Sequence, residues 1–134
     1  MKVTVLASLV AACVLALVAG FQVLLAFAKP YGSAAWGGVH RVLPVRLRFA
    51  SAASAVLLVL AAWIVLARTG IVGSPWQPAT LRAGTWVCFG VLTLSTIGNL
   101  ASKSVLERKL MFPIAFVCAV CFLVVAISAA AERT

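Results

Sequence analysis

Cys118 and Cys121 stand in a C-x-x-C spacing, the arrangement that thiol–disulfide exchange uses. Cys13 and Cys88 complete the set, and all four lie within apolar runs. A buried thiol holds little thiolate and packs as a small hydrophobe, so core packing is the expected role. Glu107 and Glu132 are the only acids, and the chain has no Asp. Ser104-Val105-Leu106-Glu107 reads as a capping box at the start of a helix, which accounts for Glu107 without any reaction. Lys103 and Glu107 are also spaced as i,i+4 neighbours. His40 is the single histidine and has no Cys or acid nearby, whereas a metal site needs three or four ligands. We therefore expect no catalytic residue, no metal and no cofactor.

Amides and hydroxyls are the remaining chemistry. Gln22, Ser51, Ser54, Ser95 and Asn99 all fall toward one end of the apolar runs that contain them. An amide in hydrocarbon must find a partner, so Gln22 and Asn99 are expected to face inward and bond across helices. Two readings stay open for this cluster. It is interhelical glue, or it is a polar vestibule for a lipid headgroup, a quinone head or another amphiphile.

Four apolar stretches carry these residues, at about 3–28, 49–67, 83–101 and 110–131. Each is near or above the length of about 18 residues that a membrane helix needs. Hydrocarbon forces every backbone N–H and C=O to bond within its own segment, so each stretch reads as a helix. The first follows Met1-Lys2 in the manner of a signal peptide, but its apolar run is too long for one, and a retained first span is expected. Loop 1, residues 29–48, and loop 2, residues 68–82, hold Pro and Gly that favour turns. Loop 3, residues 102–109, is short and makes an antiparallel hairpin of the third and fourth spans. Ala50 to Ala55, with Ser51 and Ser54 opening the second span, is a small-residue packing surface. Pro113 should loosen the fourth span near Asn99. The expected architecture is one all-α unit over residues 1–134, an integral membrane four-helix bundle.

Composition agrees. Hydrophobic residues make up 65% and charged residues 10%, which excludes a soluble enzyme or a disordered tail. Eleven Lys and Arg give a net charge of +9. Seven of them lie in loops 1 and 3, and Lys2, Arg68, Arg82 and Arg133 lie on the other side. Cations stay cytoplasmic, which puts loops 1 and 3 in the cytoplasm and both termini outside. Lys29, Arg41, Arg46, Arg48, Arg108 and Lys109 form an interfacial basic collar suited to anionic lipid headgroups. Tyr31 and Trp36 on one face, and Trp76 and Trp86 on the other, are expected as membrane anchors. Nucleic acid is a poor partner for cations dispersed beside membrane spans.

Ala28 to Gly38, Val42 to Arg48, and Gly98 to Ser104 followed by Glu107-Arg108 and Pro113 resemble a group of small, uncharacterised four-span bacterial integral membrane proteins. The broad plan is also similar to DoxX-like proteins, without a diagnostic motif. The resemblance implies a bundle in a bacterial inner membrane and no set of functional residues. The C-x-x-C pair invites comparison with membrane thiol oxidoreductases of the vitamin K epoxide reductase and DsbB type. Those families also place redox cysteines in a loop, and no loop here has one. The expected function is a non-enzymatic membrane protein that binds a lipid-like ligand or serves as an accessory or scaffold component of a complex, with lipids and a homo-oligomer as partners. The alternatives are a small oligomeric transporter or channel, and third a thiol oxidoreductase using Cys118 and Cys121.

Overall fold

The computed structural model describes residues 2–131. Met1, Glu132 and Arg133 lie outside them, so the tail acid and one cation of the charge count have no structural account. The described residues form four helices: α1 (Val3–Ala26), α2 (Val45–Arg68), α3 (Pro78–Leu100) and α4 (Val105–Ala131). Each is long and apolar enough to cross a membrane. The protein is a multi-pass, all-α integral membrane bundle.

Three helices begin earlier than the apolar runs predict. α2 starts at Val45 rather than 49, α3 at Pro78 rather than 83, and α4 at Val105 rather than 110. The cause is that polar and basic residues extend a helix into the interface, where their heads reach water. Local signals set these true starts. Pro44 precedes α2 with φ −63°. Pro78 is the first residue of α3, where its missing N–H costs nothing. α1 stops at Ala26, two residues short of the apolar run, as Ala28 turns to φ 61°.

Helices adjacent in sequence are adjacent in space, and α1 closes the ring against α4. α1 packs most closely on α2, and α3 on α4, whereas α2 and α3 touch least among neighbours. The buried stripe of α1 reads Thr4, Ala7, Ser8, Ala11, Leu15 and Ala19. Its small residues recur every three or four positions, which lets a neighbouring backbone come close. The small-residue run of α2 plays a narrower part than expected. Ser51 and Ala55 are buried, and Ala52 and Ala53 are exposed. Leu15, Val65, Phe122 and Val125 centre the main core. A second cluster of Leu25, Ala35 and Leu43 sits at the loop 1 end. The outer faces are apolar throughout, as with Leu17 at 76% exposure, the pattern of a surface that meets lipid tails.

The hydroxyls inside the spans mostly bond to their own helix. Thr85 Oγ1 donates to the Leu81 carbonyl at 2.8 Å, and Thr96 Oγ1 to the Leu92 carbonyl at 2.7 Å. Such back-bonding satisfies a hydroxyl without a partner helix. α4 continues through Pro113, two residues beyond the Met111 carbonyl that accepts a bond from Asn99.

Candidate functional site

Loop 1 is a built structure. Two 3-10 turns, Gly32–Ala34 and Trp36–Gly38, lie across the start of α4. The Gly32 N–H donates to the Arg41 carbonyl at 2.9 Å and closes the loop on itself. A Cβ on Gly32 would lie 2.2 Å from the His40 carbonyl oxygen, so only glycine allows that approach.

Two bonds fasten loop 1 to α4. Ser104 Oγ donates to the Ser33 carbonyl at 2.7 Å, and the Gly37 N–H donates to Glu107 Oε2 at 3.1 Å. The expected capping box forms by half. Ser104 Oγ accepts the Glu107 N–H at 3.2 Å, but the Glu107 side chain does not return to the Ser104 N–H. Ser102 Oγ accepts that N–H at 3.1 Å and itself donates to Glu107 Oε2. With two donors supplied by Gly37 and Ser102, the carboxylate turns toward loop 1. The expected Lys103 pairing is absent, because Lys103 lies outside α4 and the i,i+4 geometry needs both residues in one helix.

Trp36, 41% exposed at the loop 1 end, is also tied inward. It sits at φ 52° and its Nε1 donates to Ser51 Oγ at 3.0 Å. Ser51 is fully buried about two turns inside α2, so it leaves the expected cluster and ties loop 1 to the helix. At the other end of the bundle, Trp76 meets Trp63 edge-to-face at 5.0 Å.

A cavity of about 700 Å³ occupies the loosely packed seam between α2 and α3. Along α2 its lining runs from Ser54 to Ile64, about 15 Å at the rise of an α-helix. α3 lines it from Gly84 to Asn99, and α4 adds Glu107, Met111 and Cys118. Loop 1 covers one end with Ala34, Ala35 and Trp36. Most of the lining is aliphatic, and Gln22, Ser54, Ser95, Asn99 and Glu107 gather at the loop 1 end. Four of the five expected cluster residues therefore share one cavity, and Ser51 does not.

The two amides differ. Asn99 Nδ2 donates to the Met111 carbonyl at 3.3 Å and bridges α3 to α4. Gln22 does not make the cross-helix bond expected of it. Its Oε1 is buried and has no hydrogen-bond partner, although the residue borders the cavity.

No family model, curated protein or solved structure matches the chain. Its chemistry is read from the site alone. The cavity volume falls within the roughly 300–1,000 Å³ of small-molecule sites, and its mainly apolar lining with a few convergent polar groups is of the same kind.

The remaining expected residues lie around the site. Arg48 Nε donates to the Ala26 carbonyl at 2.8 Å and caps the C-terminus of α1. Arg108 Nη1 donates to the Ser102 carbonyl at 2.8 Å. Lys29, Arg41, Arg46 and Lys109 are exposed. All four cysteines are free thiols. Cys118 is buried in the core, and with Cys88 it also borders the cavity. Sequence reasoning did not place Trp36 and Glu107 at the cavity. The two glycines after Trp36 were the available signal, since Gly37 and Gly38 take φ of 81° and 72°.

Proposed function

We propose that the protein is a non-enzymatic binder of an amphipathic membrane lipid, which enters between α2 and α3. The observation that carries this reading is the cavity itself: an apolar cleft in the weakest seam of the bundle, with its polar groups at one end. An extended tail fits the aliphatic length, and a head fits beside Gln22, Ser54, Ser95 and Asn99. Entry through a seam that faces lipid spares the ligand a passage through water. The carboxylate of Glu107 is engaged by Gly37 and Ser102, which supports a binding role over acid–base catalysis.

The charge pattern supports an orientation with loops 1 and 3 in the cytoplasm and both termini outside, in the inner membrane of a bacterium. The ligand head would then lie at the cytoplasmic leaflet. Such a protein serves as a lipid-binding or accessory component of a membrane complex.

Native mass spectrometry of the protein purified in mild detergent tests the reading. We expect a lipid-sized adduct on the wild type. Ala61 borders the middle of the cleft, and Ala61→Phe puts a ring there. We expect that variant to lose the adduct while retaining wild-type helicity by circular dichroism. A bare wild-type chain, or an adduct undiminished in Ala61→Phe, overturns the proposal.

A further inference from the structure

A second hollow, of about 380 Å³, lies where α1 and α4 meet beside loop 1. Leu24 of α1, Leu106 and Leu110 of α4 and Tyr31 of loop 1 line it. Leu24, Leu106 and Leu110 are 42%, 47% and 44% exposed, so the hollow is a groove open to the surroundings of the bundle and not part of its core. Ser33 also lines it, and the bond from Ser104 Oγ to the Ser33 carbonyl holds loop 1 in place there.

Two lysines border this groove. The Lys29 N–H donates to the Leu24 carbonyl at 3.1 Å, and the Lys29 carbonyl accepts the Tyr31 N–H at 2.9 Å, so Lys29 stands between two lining residues. On α4, Lys109 follows Leu106 by three positions and directly precedes Leu110, and helix positions three and four apart are surface neighbours. Both lysines are exposed, and a lysine stem lies along apolar surface while its ammonium stays at the interface. The Tyr31 hydroxyl is a further donor. Glu107, the only acid among the described residues, lines the α2–α3 cleft and not this groove, and its carboxylate accepts from Gly37 and Ser102. Cations beside an apolar groove with no acid in its lining complement a lipid that joins an acyl chain to a negative head. A zwitterionic head brings its own cation to the lysines and gains less. We propose that the groove between α1 and α4 is a binding site for an anionic phospholipid, with an acyl chain against Leu24, Leu106 and Leu110 and the phosphate on Lys29 and Lys109. The site is separate from the α2–α3 cleft, and the proposal does not rest on what the cleft binds.

Phosphatidylglycerol and phosphatidylcholine with the same acyl chains test this, added together to the full chain in mild detergent and read as competing adducts by native mass spectrometry. Phosphatidylglycerol is expected to bind about tenfold more tightly, the scale that two partly screened surface cations produce. Lys29→Gln and Lys109→Gln should each lower that preference about threefold, and the double variant should abolish it. Arg41 and Arg46 are exposed cations of the same loop that line neither the groove nor the cleft. The Arg41→Gln/Arg46→Gln variant is therefore expected to keep most of the preference. Ala61→Phe, which fills the cleft, should leave it unchanged. Equal binding of the two lipids to the wild type, or binding of neither, overturns the proposal. So does a preference that falls as far in the arginine variant as in the lysine one, because the attraction then belongs to the whole charged end. A preference lost in Ala61→Phe also overturns it, by assigning the anionic lipid to the cleft.

Discussion

Gly38 and Gly70 both adopt positive φ, at 72° and 78°, but their surroundings differ. A Cβ on Gly38 would lie 2.6 Å from Ser104 Cβ and 2.9 Å from the Ser33 carbonyl oxygen, whereas Gly70 has open space. An L-residue pays roughly 1–2 kcal/mol for the left-handed conformation alone. Gly70→Ala is therefore expected to lower stability by about 1 kcal/mol. Gly38→Ala adds a clash that pushes loop 1 off α4, and a loss of roughly 2–4 kcal/mol is expected. Thermal unfolding in detergent, followed by circular dichroism, compares the two. Equal losses would show that loop 1 does not depend on its seat against Ser104. Glu107 is the chemical counterpart of that seat, because its carboxylate accepts from Gly37 and Ser102 at once. Only one of these donors was within reach of a local motif. The Gly37 bond joins residues 70 apart in sequence, and no spacing rule describes it.

The seam between α2 and α3 explains why a cavity exists where it does. Its end nearest loop 2 is held by Ile64 against Gly84, whose Cβ position lies 3.5 Å from Ile64 Cδ1 and Cγ2. That distance is ordinary contact, so Gly84→Ala is expected to raise stability by up to about 1 kcal/mol through helix propensity. A melting temperature below wild type would mean that the seam is already tight there. Loop 1 is held to α2 by the Trp36–Ser51 bond. A double-mutant cycle of Trp36→Phe and Ser51→Ala should give a coupling of about 1 kcal/mol, and additive losses would show that the bond contributes nothing. On α4, Phe122 is fully buried in the main core. Phe122→Ala is expected to cost roughly 3–5 kcal/mol by the same unfolding assay. A loss near zero would place the core elsewhere.

Across the whole molecule, the up-and-down order puts loops 1 and 3 at one end and loop 2 at the other. Loops 1 and 3 bond to each other there, at the end where the described cations are most numerous. Topology is read by labelling single cysteines in a variant from which Cys13, Cys88, Cys118 and Cys121 have been removed. His40→Cys in loop 1 is exposed, and Gly73→Cys in loop 2 meets open space. A membrane-impermeant maleimide is expected to label Gly73→Cys in intact cells and His40→Cys only after permeabilisation. The reverse pattern would invert the orientation and move the proposed ligand head to the outer leaflet.

Four spans, their helical state and the uneven distribution of charge were legible in the amino-acid order, because each follows from local composition and from the demand that backbone groups in hydrocarbon bond within their own segment. The helix start at Ser104 was legible for the same reason, since a cap acts over three residues. The grouping of Gln22, Ser54, Ser95 and Asn99 at one end also followed from counting turns along each span. Whether these residues touched one another or faced a space was not legible. That depends on how far apart α2 and α3 stand, which is set by small residues on α1, by Ile64 against Gly84 and by a loop folded over the end. Ser51 and Gln22, expected in one cluster, part company on that account. Ser51 became a buried partner of Trp36, and Gln22 borders the cavity with a buried, unpartnered oxygen. Periodicity assigns a side chain to a face, but only the distance between helices decides whether that face meets a neighbour or a ligand.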